Sequence, residues 1–220
     1  IHLYGSDYST YSQIKSLKSQ GYAALFSQYG LFERYENITV ADSTTTFAAY
    51  ISEGDYRIIN GFRAYNNLGD GLQFGGGVNG KYGVISNVNS SNNQAYGVAN
   101  WGGNESSITH ITANNNLAGG LATYQTDRDV FSQILAVNNN SDAGITLLNG
   151  VSNHIFSQAV STNNLNAGIS IFQFNNDHKF THNLLVGNNG SSNCSISAVV
   201  PVPTNPGLTD GVCANQGTSN

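Results

Sequence analysis

Apolar and small polar residues alternate along most of this chain in short runs that recur at nearly constant spacing. Clear examples are residues 144–147, 155–160 and 168–171, which are rich in β-branched side chains and are separated by Asn, Gly and Ser. Alternation with a period of two residues predicts short β-strands. No helical stripe of about 10 to 15 residues fits between the runs. Each repeat is therefore expected to hold two or three strands and no helix.

An asparagine that lies four residues before a glycine marks each repeat. The anchoring glycines are at positions 71, 97, 120, 144 and 168, which are 26, 23, 24 and 24 residues apart. A period of this size indicates stacked units that bury their apolar faces against one another. The sequence therefore predicts a solenoid of about eight coils, each of about 24 residues. The corresponding asparagines are Asn67, Asn93, Asn116, Asn140 and Asn164.

This repeat resembles the right-handed parallel β-helix family, which includes pectate lyases, phage tailspikes and the catalytic module of mannuronan C5-epimerases. The resemblance implies an all-β, single-stranded right-handed parallel β-helix. It also implies that the repeated asparagines form a ladder, in which each side-chain amide bonds its equivalent in the next coil. Asparagine suits such a turn because it accepts left-handed dihedral angles and satisfies backbone groups.

The repeat divides the chain into a β-helix over residues 1–198 and a C-terminal capping tail or linker over 199–220. Within the helix, residues 56–198 are regular coils, and 1–55 are degenerate coils or an N-terminal cap. Residues 6–20 leave two interpretations open. Asp7 is suited to cap a helix with Tyr11, Ile14 and Leu17 on one face. The alternative, which we favour slightly, is a strand–turn–strand coil.

The tail departs from the repeat and holds all three prolines, which suits a segment that covers the open last coil. The two cysteines, Cys194 and Cys213, are placed to join the last coil to this tail. Closing such a loop of about 20 residues would contribute roughly 3 kcal/mol. Two cysteines in this arrangement favour an oxidising compartment, so we expect an extracellular or cell-surface location. The alternative is two unrelated free thiols.

Composition limits the partners of the chain. Only 10% of residues are charged and the net charge is −5, so no basic patch for nucleic acid is expected. No apolar run approaches about 18 residues, so no membrane span is predicted. No Cys or His pair has ligand spacing, so we expect no metal and no cofactor. The first residues already fit the repeat, so the chain is expected to be a piece of a longer or processed protein.

The alternation predicts which residues face outward. Positions +1 and +3 after the anchor glycine are mostly apolar and should point inward, which leaves positions +2 and +4 outward. The +2 row is Gln73, Ala99, Ala122, Thr146 and Ser170, and the +4 row is Gly75, Trp101, Tyr124, Leu148 and Phe172. Coils about 4.8 Å apart would place the last four side by side. Such an apolar row is typical of a sugar-binding or assembly surface, unless a loop folds over it.

Chemistry in the lyases and epimerases of this family sits on the same sheet face. The resemblance places the epimerase Asp-Pro-His-Glu motif at 99–102, which reads Ala-Asn-Trp-Gly here and holds no acid or base. The remaining candidates lie at strand ends, at Asp127, Asp129, His154 and His178. The register predicts one column of Asp129, His154 and His178, which would suit an acid–base set or a weak metal site. Polar residues at a turn are the commoner explanation of such a column.

We therefore predict a secreted or surface-attached β-helix without catalysis of its own. Its expected partner is a polysaccharide or cell-surface glycan, or copies of itself in a trimer or filament. The alternative is a polysaccharide lyase, glycoside hydrolase or uronan epimerase that acts on the sheet face. Fold does not decide between these functions, because one architecture hosts binders, spikes and enzymes.

The cysteine positions give the first testable prediction. In protein secreted by its native host, peptide mapping without reduction should show Cys194 joined to Cys213, since a staple would hold the tail against the last coil. Reduction should loosen the tail. Two thiols that react freely with an alkylating reagent would remove both the staple and the argument for an oxidising compartment.

Overall fold

The computed structural model describes residues 1–5, 7–75, 81–148, 150–171 and 178–188, together with the backbone of Cys194–Ile196. These residues form short β-strands and no helix, so none of them belongs to a helix able to cross a membrane. In chain order the strands are β1 (His2–Tyr4), β2 (Thr10–Ser12), β3 (Lys15–Leu17), β4 (Ala23–Gln28), β5 (Arg34–Ala41), β6 (Phe47–Ser52), β7 (Ile58–Tyr65), β8 (Asp70–Gly75), β9 (Val84–Ser91), β10 (Val98–Trp101), β11 (Ser107–Asn114), β12 (Leu121–Tyr124), β13 (Val130–Val137), β14 (Ile145–Leu147), β15 (Ile155–Ser157), β16 (Val160–Thr162), β17 (Ile169–Ile171), β18 (Lys179–Thr181), β19 (Leu184–Val186) and β20 (Cys194–Ile196).

The strands form two parallel sheets that wind around one core. Sheet A has the order β1-β4-β6-β8-β10-β12-β14-β17-β20. Sheet B runs from β2 and β3 through β5-β7-β9-β11-β13 to the split strands β15/β16 and β18/β19. Each strand pairs with its equivalents one repeat away, as Val98 does with Leu72 and Leu121. The predicted all-β parallel solenoid is therefore confirmed, with about seven turns.

The long strands of sheet B bend in the middle at a residue with positive φ. In β7 this residue is Gly61, with a φ of 71°. The bend breaks the alternation, so Ile59 and Phe62 are both buried although they lie three positions apart. Glycine and asparagine tolerate this conformation better than other residues, and Asn37 and Asn87 occupy the same place in the coils on either side.

The core holds the side chains that alternation assigned to it. Positions +1 and +3 after the anchor glycine point inward, as predicted, and Leu72 and Leu121 are fully buried. Sheet B contributes a stack of Phe131, Phe156 and Phe180, with ring centroids 4.4 and 5.1 Å apart and nearly parallel planes. Equivalent residues of successive coils therefore pack directly on one another along the axis.

A ladder of buried asparagines runs along the corner between sheet B and sheet A. Each amide nitrogen donates to the amide oxygen in the next coil, at 2.8 Å (Asn67 to Asn93), 3.0 Å (Asn93 to Asn116), 3.2 Å (Asn116 to Asn139), 2.9 Å (Asn139 to Asn164) and 2.9 Å (Asn164 to Asn188). The backbone N–H of each donor residue reaches the same oxygen at 3.0–3.2 Å. The ladder implied by the resemblance is therefore confirmed.

One predicted member of this ladder is wrong. Asn139 occupies the ladder, whereas Asn140 is exposed and bonds the carbonyl of Asn116 through its backbone N–H. The prediction assumed four residues between every ladder asparagine and its glycine. The turn before Gly144 contains one residue more, so counting back from the glycine selects the wrong asparagine.

The N-terminal region answers the question left open for residues 6–20. They form strands β2 and β3, and Thr10 and Lys15 pair with Arg34 and Thr39 of β5. The coil interpretation is therefore correct and the helix is wrong. The domain boundaries at 55 and 198 stay predictions, and Phe172, the side chain of Cys194, and Cys213 lie outside the described residues.

The ladder predicts opposite outcomes for two adjacent asparagines. Asn139→Ala should lower the free energy of unfolding by about 3 kcal/mol, because it leaves the buried backbone and side-chain N–H groups of Asn116 without an acceptor. Asn140→Ala is the matched control and should change it by less than about 0.5 kcal/mol. Urea unfolding of both variants measures the difference, and equal effects would contradict the ladder assignment.

Candidate functional site

Two members of the predicted +4 row form a pair on the outer face of sheet A. Trp101 and Tyr124 are in register on β10 and β12, with ring centroids 4.9 Å apart and planes tilted by 37°. Leu148 follows in the next coil, where its N–H donates to the carbonyl of Thr123 at 2.8 Å. All three side chains are half-buried. The structure thus brings three of the four predicted residues together in one partly exposed row.

The +2 row differs from its prediction. Ala99, Ala122 and Thr146 are fully buried, and Gln73 and Ser170 are each only 7% exposed. Four of the five side chains are Ala, Ser or Thr, which are too short to reach past their bulkier neighbours. These positions therefore form a recessed floor beside the aromatic row rather than a second solvent-exposed stripe.

The same face carries a larger aromatic cluster on the first coils, which sequence reasoning missed. The register continues the +2 row backward from Gln73 to Tyr50, Phe26 and His2. Tyr22 joins this cluster and meets Phe26, Phe47 and Tyr50 at centroid distances of 5.2–5.8 Å and interplanar angles of 61–73°. Tyr22 is 56% exposed, so more than half of its surface is open to solvent. Stepping back by 24 residues from Tyr50 would have revealed the row.

A second set of aromatic rings is exposed at the corner that leads into sheet B. Tyr8, Phe32, Tyr56 and Tyr82 stack in register with centroids 4.6–5.0 Å apart and planes within 20° of parallel. Because each inner ring is covered on both faces by its neighbours, this corner stack presents ring edges to solvent. The aromatic side chains of sheet A are therefore better placed than the corner stack to stack on the face of a sugar.

A polar group accompanies the aromatic row at the start of the sheet A strands. The Tyr96 hydroxyl donates to the carboxylate of Asp142, two coils away. Its ring passes over Gly119, where an added Cβ would lie 3.0 Å from the ring. Asp142 belongs to the turn that is one residue longer than the others. The Tyr96 N–H donates to Asp70, a buried carboxyl whose pKa is raised to about 6 by burial.

The four predicted catalytic alternatives separate into a buried group and a surface group. Asp129, His154 and His178 do lie in one column, and all three are buried. Each accepts a hydrogen bond from the backbone of the preceding coil: Ser106 N–H to Asp129 at 2.8 Å, Asp129 N–H to His154 at 2.9 Å, and His154 N–H to His178 at 3.4 Å. These side chains, which we call the buried polar column, therefore act as a second ladder.

The protonation states in this column follow from burial. Nδ1 of His154 accepts the Asp129 N–H, so Nε2 carries the proton and donates to Thr126 Oγ1 at 2.8 Å. Burial lowers the pKa of His154 to about 3 and raises that of Asp129 well above its ordinary value. The His154 imidazole and the Asp129 carboxyl, which are 4.0 Å apart, therefore do not form an ion pair. Both side chains are fully buried in this structure, so neither can contact a polymer bound at the surface.

Asp127 lies at the surface but its carboxylate is occupied. It pairs with Arg128 at 2.6 Å and accepts hydrogen bonds from Ser152 and Asn153 at 2.9 Å. Arg128 also binds Glu105 at 2.6 Å. These interactions lower the pKa of Asp127 against the opposing effect of its partial burial, so the carboxylate is a poor proton donor.

No protein-family model and no curated protein sequence matches this chain. Solved structures match its fold. A double mutant of the periplasmic alginate epimerase AlgG gives a TM-score of 0.65 at 12% identity, over 87% of this chain and 48% of that one. The AlgE6 A-module, a mannuronan C-5 epimerase from Azotobacter vinelandii, gives 0.55 at 14% identity, over 87% and 58%. Pectate lyase Pel9A gives 0.51 at 14% identity, over 86% and 58%.

The described coils therefore have the parallel β-helix fold of the pectate-lyase-like proteins. This chain spans about half the length of the structures it matches. At such low identity the likeness shows the fold alone.

Asp70 gives a prediction about pH. Its folded-state pKa is above the ordinary value of 3.8, so the stability that Asp70 contributes is lost as pH rises from about 4 to about 6. Asp70→Asn keeps the acceptor for the Tyr96 N–H and removes this loss. The free energy of unfolding of the variant relative to wild type should therefore rise by about 2 kcal/mol between pH 4 and pH 7. Urea unfolding across this range tests it, and a pH-independent difference would contradict the assignment.

Proposed function

We propose that this protein binds carbohydrate along the outer face of sheet A and performs no catalysis there. The observation that carries the proposal is the set of aromatic side chains on that face, the Tyr22 cluster on the first coils and Trp101 with Tyr124 farther along. Among the described residues, neither outward row contains Asp, Glu, Lys or Arg. Aromatic faces without neighbouring charges suit the apolar faces of sugar rings.

The linear arrangement supports a polymeric ligand. Equivalent side chains lie about 4.8 Å apart along the axis, so a chain lying along the solenoid meets the same kind of contact at each coil. A polymeric glycan ligand fits an extracellular or cell-surface location for this protein. The low content of charged residues fits the same location. The periplasmic location given for AlgG agrees with a place outside the cytoplasm.

The alternative is an enzyme that modifies a uronan, as the names of the matched epimerases and lyase describe for those proteins. Tyr96 with its Asp142 partner, and Asp70 with its raised pKa, are the groups near sheet A that favour this alternative. The residues at the epimerase motif position argue against it, since Ala99 and Trp101 have no acid or base function.

The binding proposal predicts the effect of removing the rings. Trp101→Ala with Tyr124→Ala, and separately Tyr22→Ala, should weaken binding to a retained glycan about thirtyfold, because an aromatic anchor contributes about 2 kcal/mol or more. A glycan array identifies the ligand, and calorimetric titration measures the loss. Tyr56→Ala is the matched control, since its ring is 46% exposed but lies inside the corner stack with a neighbour on each face. It should bind as wild type does.

Three other results would change this conclusion. An oligomer that dissociates in the Trp101/Tyr124 double variant, with no glycan bound by wild type, would show that the row is an assembly surface. A variant that only unfolds several degrees lower would show that the row is structural. Release of unsaturated or reducing ends from alginate or pectate by wild type would support the enzymatic alternative.

A further inference from the structure

The outer face of sheet B carries a polar concavity of about 500 Å³ that the proposed function does not use. It lies where β5, β7, β9 and β11 bend. Four of its lining residues are in register across these strands, in the order Thr39, Arg63, Asn89 and Thr112. The bend residues beside them are Asn37, Gly61, Asn87 and His110.

The side chains around this concavity have unused hydrogen-bonding capacity. Arg63, Asn89 and His110 are exposed, and within the described residues none of their side chains has a hydrogen-bond or ion-pair partner. The other described arginines, at positions 34, 57 and 128, are all paired with carboxylates. Arg63 therefore presents a free guanidinium fork, the donor geometry that matches carboxylate or sulfate oxygens.

Glycine at the bend shapes the surface next to this arginine. Gly61 has a φ of 71° and no side chain, and an added Cβ would lie 2.7 Å from Oδ1 of Asn37. The coils on either side have asparagine at this place. The amide of Asn37 thus occupies the space that a side chain at position 61 would need, which places a polar group beside the strand that carries Arg63.

The polar row formed by Thr39, Arg63, Asn89 and Thr112 ends at definite coils in both directions along the solenoid axis. Lys15 continues it beyond Thr39 and lies two coils from Arg63, which places two cations about 10 Å apart on one face. In the other direction Thr112 pairs with Leu135, and the row is then apolar through Val160 and Leu184. No acidic residue lines the concavity. The nearby Glu36 is bonded to Arg34 at 2.7 Å.

We propose that this concavity is a second binding site, specific for an anionic polysaccharide. Arg63 and Lys15 bind carboxylate or sulfate groups two coils apart, with the Thr39 hydroxyl between them. Beyond Arg63, the side chains of Asn89, His110 and Thr112 bind sugar hydroxyls. The net charge of −5 opposes such a ligand in general, so attraction must come from this local arrangement. The site differs from the face of sheet A in both its position and the chemistry of its ligand.

The test uses polygalacturonate, dextran sulfate and neutral dextran as probes in calorimetric titrations. Wild type should bind at least one anionic polymer more tightly than dextran, because dextran has no charged group for Arg63 and any binding of it belongs to the face of sheet A. Arg63→Gln should weaken that binding at least tenfold, because it removes a charge-assisted hydrogen bond. Asn89→Asp should do the same while keeping the arginine, since it places a carboxylate beside the guanidinium. Lys179→Gln is the control, with the same change in charge on an exposed lysine elsewhere, and should bind as wild type does.

The outcomes separate this site from the one on sheet A. A preference for polygalacturonate or for dextran sulfate identifies carboxylate or sulfate as the bound group. The proposal is overturned if wild type binds neither polymer, if Arg63→Gln binds as tightly as wild type, or if Lys179→Gln weakens binding equally. Loss of anionic binding in the Trp101/Tyr124 double variant, with Arg63→Gln unaffected, would place the ligand on sheet A instead.

Discussion

The structure depends on the satisfaction of backbone N–H groups at the corners of each coil by the side chains of the next one. The asparagine ladder does this between sheets B and A, where each Oδ1 after that of Asn67 accepts both a backbone and a side-chain N–H. The buried polar column does the same before sheet B, with Asp129 and His154 as acceptors. An unsatisfied buried N–H costs about 1–3 kcal/mol, so these acceptors fix the identity of the residues at both corners.

This constraint also explains why titratable residues collect where no substrate reaches them. The buried polar column aligns with Glu33 and Arg57 in earlier coils, a buried pair with Nε and Oε2 3.4 Å apart. Burial lowers the pKa of Arg57, as it lowers that of His154. Each group is held in the interior by contacts to adjacent coils. In the sequence, the residue types of the buried polar column suggested an acid–base site. In the structure, these side chains stabilise the fold by bonding adjacent coils.

Sequence patterns predicted the fold because a solenoid repeats its local chemistry at every coil. Alternation around the glycines identified the inward positions of sheet A, and periodicity identified all but one of the ladder residues it named. The errors arose where single coils depart from the repeat, as in the extra residue before Gly144. The Tyr22 cluster was missed because alanine replaces the anchor glycine at Ala24 and Ala48, so counting from glycines stopped at Gly71. Burial of Ala99 and Ala122 depends on neighbouring side chains, which alternation does not describe.

A repeating scaffold also determines what kind of ligand its surfaces can bind. A residue type that recurs at one position becomes a row with a step of about 4.8 Å, and extended linear polymers present repeated groups that can follow such a row. The two outer faces differ in the chemistry of their rows, aromatic on sheet A and polar with unpaired cations on sheet B. Because each coil contributes one contact to a row, a substitution at Tyr22 or Arg63 changes a single subsite. Affinity is then expected to depend on the number of coils in contact with the polymer.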